Sequence, residues 1–267
     1  MDVSPPEPAG SHRHWDARPG GPLRGALLAP LTVVYAFLLA SLVALVAVLG
    51  PRAFRRRWWW LITVWGRAPL WWHGVRLETA GLERLRAPGP RIVLFNHVSL
   101  LDLWVLAATA PPTTVVVYKQ EFHRIPGIGH ALRALGHIAI DRSDKERALA
   151  SMAAAGARIR DEGCTVYIAP EGTRSRRGGL QEFKLGAFHL ARQTGVPLVP
   201  FVMRGIQGVL PMGSFLIRSG RVGVDALEPL EVPPPEQGAE VDSDAARALA
   251  GRARAVFLDY LAPVSDD

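Results

Sequence analysis

The chain has 267 residues, 49% apolar and 21% charged, with one cysteine, Cys164. That length is ample for one large core plus appendages, and the composition excludes wholesale disorder. A single cysteine excludes a disulfide framework and a cysteine-built zinc site, and it fits a reducing compartment. Lys+Arg number 31 against 24 Asp+Glu, leaving +7. Such a balance favours anionic partners: nucleic acid, a phospholipid surface or a phosphorylated substrate. A positive mean hydropathy of +0.13 tilts that choice towards membrane.

In chain order, residues 1–25 are rich in Pro, Gly and His, have no period, and predict a flexible tail. Ala26 to Leu49 is a run of 24 residues without a charge. As a helix it would measure roughly 36 Å, against roughly 30 Å of hydrocarbon, and a modest tilt absorbs the excess. It is long for a signal core and no small-residue cleavage site follows, so residues 26–50 predict a retained transmembrane anchor. Arg52, Arg55, Arg56 and Arg57 come next, outnumbering Arg13, Arg18 and Arg24 upstream, which places the remainder on the cytoplasmic face. Six of the eight tryptophans then fall between Trp58 and Trp72. Arginine mixed with indole suits headgroup depth, so residues 51–75 predict an interfacial or re-entrant helical element. The competing reading is an ordinary helix buried against the domain that follows.

Residues 76–232 alternate the two periodicities. Strands are predicted at Arg91–Phe95, Val115–Tyr118, His137–Asp141, Thr165–Ala169, Leu198–Met203 and Arg221–Leu227. Helices are predicted at Leu100–Thr109, His123–Leu135, Asp144–Asp161 and Lys184–Thr194, with Ser143 and Glu146 as a capping box for the third. The fold class is therefore α/β, a mixed central sheet flanked by helices. Residues 233–267 read as a Pro-rich linker and an amphipathic helix, with Ala246, Leu249, Val256, Phe257 and Leu261 on its apolar side.

Three strand ends carry chemistry. Asn96-His97-Val98-Ser99-Leu100-Leu101-Asp102 follows the first strand, at the sheet edge where α/β folds bind ligands. A histidine there can accept a proton near neutral pH, and an acid five residues on can fix its tautomer and stabilise the imidazolium. By itself the pattern is weak. Ser99-x-x-Asp102 is equally a helix-capping pattern, which would leave His97 as a core histidine. Pro170-Glu171-Gly172-Thr173-Arg174-Ser175 follows another strand, and its glycine, backbone N–H groups and guanidinium suit an anion. Arg176 and Arg177 read as a solvated basic turn. Lys119, at a third strand end, adds a positive charge or is a surface lysine. Together the three ends suggest proton abstraction beside a bound phosphate.

These residues resemble the 1-acylglycerol-3-phosphate (lysophosphatidic acid) acyltransferase family over about Val75 to Leu230. Its four blocks occur in order: Asn96-His97-x4-Asp102; Lys119 and Glu121 through Pro126, Gly127 and Gly136 to Ile140-Asp141-Arg142; Pro170-Glu171-Gly172-Thr173-Arg174-Ser175 on to Phe183-Lys184-x-Gly186; and Val196-Pro197-Leu198-Val199-Pro200. Ala169 departs from the family's usual phenylalanine. The resemblance implies transfer of a fatty acyl group from acyl-CoA or acyl carrier protein to the sn-2 hydroxyl of lysophosphatidic acid, giving phosphatidic acid. It makes His97 the general base and Asp102 its partner. Lys119, Glu171, Gly172, Thr173 and Arg174 would form the phosphate site, with Asn96, Ser99, Arg142 and Lys184 in support. No bound cofactor, metal or acyl-enzyme is implied, and Ser99 reads as a cap. Relatives sharing these blocks acylate other lysolipids, such as lyso-ornithine lipid or a lysophospholipid. A non-catalytic membrane lipid-binding protein is the alternative of another class. No nucleic-acid motif accompanies the arginines.

Overall fold

A computed structural model of the chain describes residues 22–48, 50–172, 179–233 and 243–262. Its strands are β1 (Val75–Ala80), β2 (Arg91–Phe95), β3 (Thr114–Lys119), β4 (Ile138–Ile140), β5 (Thr165–Ile168), β6 (Leu198–Arg204) and β7 (Gly220–Ala226). They form one sheet in the order β1-β7-β6-β2-β5-β3-β4. Strands β6, β2, β5, β3 and β4 run parallel; β7 is antiparallel to β6, and β1 is parallel to β7. Every side chain of β2 and β5 is buried, as central strands covered on both faces require.

The helices are α1 (Pro22–Ala47), α2 (Pro51–Arg57), α3 (Trp60–Trp72), α4 (Glu83–Arg86), α5 (Leu101–Thr109), α6 (Ile128–Ala134), α7 (Lys145–Glu162), α8 (Gly186–Thr194), α9 (Ile206–Val209) and α10 (Ser243–Leu261). One face of the sheet packs on α1, α3, α5 and α6 through Val43, Leu61, Val105 and Leu135. The other packs on α7, α8 and α10 through Ile159, Phe188 and Phe257. In α10 the buried stripe is Ala246, Leu249, Ala250, Ala253 and Phe257; Ala250 and Ala253 take the places expected of Val256 and Leu261.

Three expectations change. His123–Leu135 is not one helix: a 3-10 turn at Gln120–Arg124 ends before Pro126-Gly127, and α6 starts afresh. Helix α7 is capped by Asp144, whose carboxylate accepts the Arg147 N–H at 3.1 Å, so the Ser143/Glu146 box is displaced by one residue. Strand β1 was not foreseen, because Val-Arg-Leu-Glu-Thr-Ala is the polar, half-exposed sequence of a sheet edge.

The N-terminal helices are docked along the α/β domain. Trp65 Nε1 donates to Ala36 O at 3.1 Å, and the Ser41 side chain lies against Gly127. The opposite flank of α1, including Leu27, Leu31, Val34, Leu38 and Leu45, is exposed. Most of the tryptophans serve packing: Trp59 donates to Ala110 O at 3.0 Å and Trp72 to Thr32 Oγ1 at 3.1 Å. Trp60 and Trp71 remain exposed. Arg55 is likewise used internally, on Leu135 O at 3.0 Å and Glu162 at 3.7 Å.

Helices α3 and α5 touch backbone to backbone at Gly66. A Cβ there would stand 2.4 Å from Ala108 N and 2.6 Å from Trp104 O. Gly66→Ala is therefore expected to destabilise the fold by about 1–3 kcal/mol through overpacking. A thermal melt checks this, and an unchanged midpoint would mean that the two helices part freely.

Candidate active site

Parallel strands β2, β3, β5 and β6 all end at one edge of the sheet, and antiparallel β7 begins there, with Arg204 opposite Gly223. The chain leaving β2 is pinned to β6 by Asn96, whose amide donates to Met203 O at 2.9 Å and accepts Met203 N–H at 2.8 Å. Asn96 thus serves the scaffold, and His97 emerges at a fixed height above the sheet.

His97 Nδ1 lies 2.6 Å from Asp102 Oδ2. The same oxygen accepts the N–H groups of Val98 at 2.9 Å and Ser99 at 3.1 Å. The histidine–carboxylate pair and the helix cap are therefore one arrangement, because the carboxylate that closes the first turn of α5 also holds the imidazole. Asp102 is only 1% exposed, while the His97 side chain is 26% exposed. With Nδ1 held from behind, Nε2 has no other hydrogen-bond partner among the described residues. Ser99 donates to Leu210 O at 2.8 Å and accepts Leu101 N–H at 3.2 Å, and it is buried. A hydroxyl so engaged is a structural tie.

Glu171, expected at the phosphate site, faces backbone N–H groups on both sides. Its Oε1 accepts His97 N–H at 3.1 Å and its Oε2 accepts Gln181 N–H at 2.9 Å. It is 3% exposed. Each oxygen accepts one backbone N–H, and burial raises its pKa above the ordinary carboxyl value, with the two N–H donors opposing. Glu171 is a strut behind His97. Lys119, at the end of β3, lines the same cavity as His97, and its exposed ammonium pairs with Glu121 at 2.8 Å. The Lys184 backbone N–H closes on Pro170 O at 2.8 Å, and its side chain lies beside Gly172. Thr173 and Arg174 lie outside the described residues.

His97 opens on a cavity of about 560 Å³ that runs between the sheet and helices α1, α3, α5 and α6. Its walls are mostly apolar, with Val43, Trp65, Leu106, Val116, Ala131 and Leu135 among them. Arg142 is the arginine among the residues lining the same cavity, and as a residue it is exposed. Deeper, His137 accepts the Val116 N–H on Nδ1 at 3.2 Å. Burial, then Arg55 and Arg158, push its pKa down to about 3, so the imidazole is neutral. The sequence placed His137 in a strand and gave no sign of the cavity. Cavity walls come from α1, α3, α5, β3 and α6 together, and no local spacing marks such an assembly. Among the described residues no cluster of His, Cys, Asp and Glu could hold a metal ion.

A histidine–carboxylate pair at the mouth of an apolar pocket in an α/β sheet is an arrangement that suits proton abstraction beside an acyl chain. Residues 76–204 match the family described as Acyltransferase. The chain is 33% identical over 195 residues to the human 1-acyl-sn-glycerol-3-phosphate acyltransferase alpha, covering 73% of this chain and 67% of that protein. It is 28% identical over 242 residues to the Salmonella typhimurium 1-acyl-sn-glycerol-3-phosphate acyltransferase, covering 89% and 93%. The crystal structure of the 1-acyl-sn-glycerophosphate (LPA) acyltransferase PlsC of Thermotoga maritima superposes with a TM-score of 0.70 at 23% identity, covering 92% of this chain and 96% of that one. The chain belongs to the 1-acyl-sn-glycerol-3-phosphate acyltransferase family. Its match spans 58% to 67% of the length of mammalian and plant relatives.

Proposed function

We propose that this chain transfers a fatty acyl group from an acyl thioester, acyl-CoA or acyl carrier protein, to the sn-2 hydroxyl of lysophosphatidic acid, forming phosphatidic acid for phospholipid synthesis. The observation that carries this reading is the 2.6 Å His97–Asp102 pair at the mouth of the apolar cavity. His97 Nε2 takes the hydroxyl proton as the acceptor oxygen attacks the thioester carbonyl. Asp102 stabilises the imidazolium so formed. Collapse of the tetrahedral intermediate breaks the C–S bond, and the imidazolium returns its proton to the departing thiolate. No protein nucleophile is required. The N–H groups of His97, Val98 and Ser99 are already held by Glu171 and Asp102, so the oxyanion donors belong to another segment.

The apolar cavity suits an acyl chain. Arg142 suits the acceptor's phosphate, together with Arg174, which the family resemblance places in that role. Arg142→Ala is expected to raise the acceptor KM about tenfold with a smaller change in kcat, the size of one lost charged hydrogen bond. A panel of lysophosphatidic acid, other lysophospholipids and lyso-ornithine lipid, read by lipid mass spectrometry with each thioester donor in turn, tests the whole reading. Equal turnover of acceptors without phosphate would assign the chain to another lysolipid. No turnover of any would favour a lipid-binding role.

The membrane association follows from α1. A helix of 26 residues with an exposed apolar flank needs a cover, and lipid supplies one while the docked flank fixes the domain at that surface. Exposed Arg52, Arg56 and Arg57 beyond its C-terminus fit an anionic cytoplasmic leaflet. Docking along the domain argues for a helix held against the bilayer rather than a free-standing span.

A further inference from the structure

The segment 210–219 belongs to no sequence block, yet it joins the catalytic turn to the start of α1. At one end, Leu210 O accepts the Ser99 hydroxyl at 2.8 Å, and Met212 lines the same cavity as His97. At the other, Arg218 N–H bonds Val209 O at 2.8 Å and Ile217 is 5% exposed. Ile217 O approaches α1 so closely that a Cβ on Gly25 would meet it at 2.5 Å. Between these anchors the chain makes a tight turn. Ser214 N–H bonds Pro211 O at 3.1 Å, Gly213 supplies φ 80°, and Ser214 Oγ accepts Leu216 N–H at 3.0 Å. The turn presents Phe215 at 78% exposure.

A phenylalanine fixed in water by a braced turn forgoes about 1.5–3 kcal/mol of burial, and it marks a contact surface only if other exposed apolar groups lie beside it. Neighbouring elements show what kind. The first turn of α1 and the last turn of α3 meet at the same place, since Arg24 Nε donates to Trp72 O at 3.0 Å and Gly74 lies against Arg24 and Ser219. Those turns carry Leu23 at 72% and Trp71 at 80% exposure. Arg76 and Arg221, paired in register on β1 and β7, are exposed beside them, with Arg221 3.5 Å from Glu78. Apolar tips next to arginines match the acyl and phosphate layers of an anionic bilayer.

We propose that the 210–219 turn is a second bilayer contact, separate from the α1 flank, which inserts Phe215 into an anionic phospholipid surface and holds the His97 mouth against it, so that a lysolipid enters without its tail crossing water. This rests on the membrane reading of α1, and the test separates the two. In a Cys164→Ala background, a polarity-sensitive fluorophore is placed at Phe215→Cys, at Leu38→Cys on α1, and at Ala150→Cys on the remote helix α7. Vesicles of phosphatidylcholine and phosphatidylglycerol are added to the full chain. The proposal expects blue shifts at positions 215 and 38 and none at 150. A shift at 38 alone overturns the turn contact and leaves the membrane reading intact; no shift at either overturns both. Phe215→Glu is expected to slow acylation of vesicle-embedded lysophosphatidic acid several-fold relative to wild type. It should leave the rate on detergent-dispersed acceptor unchanged, and equal slowing on both would overturn the proposal.

Discussion

His97→Ala is expected to lower kcat by about 10²- to 10⁴-fold, the usual contribution of a positioned general base, with little change in either substrate's KM. In the proposed mechanism the imidazole touches the reacting hydroxyl in the transition state, whereas substrate binding rests on the apolar cavity and the arginines at its mouth. Asp102→Asn separates a second contribution. The amide oxygen can replace Oδ2 towards the N–H groups of Val98 and Ser99 and towards Nδ1–H, so the turn survives while the negative charge opposite the imidazolium is lost. Its kcat should fall with KM nearly constant and the melting temperature close to wild type. Wild-type turnover in His97→Ala would end the assignment of the base. Wild-type kcat in a folded Asp102→Asn would show that the carboxylate serves the helix cap alone.

Much of this architecture could be read from residue order, for identifiable reasons. The strands that carry the site are β-branched runs between glycine, proline and polar breaks, and β2 was placed to the residue. Asn96 to Asp102 was legible because a strand end, a histidine and an acid fall within one short segment. Long-range partners were less visible. Glu171 sits in a loop whose composition suggests an anion site, but its carboxylate turns inward to His97 N–H, 74 residues away in sequence. The tryptophans pointed to an interface, yet Trp59, Trp65 and Trp72 find carbonyl and hydroxyl acceptors within the protein. Indole satisfied by a backbone oxygen and indole satisfied at a headgroup look alike in sequence.

Glu171→Gln tests the most consequential of these reassignments. In the wild type two acceptor oxygens meet two N–H donors, those of His97 and Gln181. Glutamine keeps one acceptor and turns an NH₂ towards the other donor, so one backbone N–H loses its partner in a buried place. An unsatisfied buried group costs about 1–3 kcal/mol, and relief requires the 97 or 181 segment to move. If the His97 segment moves, kcat should fall by about 10- to 100-fold, since each 1.4 kcal/mol is tenfold, while the acceptor KM stays near wild type. A phosphate ligand would give the opposite split, with KM changing first. The pH dependence of stability gives a second reading. Because burial raises the Glu171 pKa above 4.5 in the fold, the folded state holds this proton more tightly than the unfolded chain. The stabilisation from that difference is fully present below the unfolded value and is lost as pH rises through the raised one. Glutamine does not titrate, so the stability gap between wild type and Glu171→Gln should narrow as pH rises across that window in denaturant melts. A gap independent of pH, together with an altered KM and an intact kcat, would return Glu171 to the substrate.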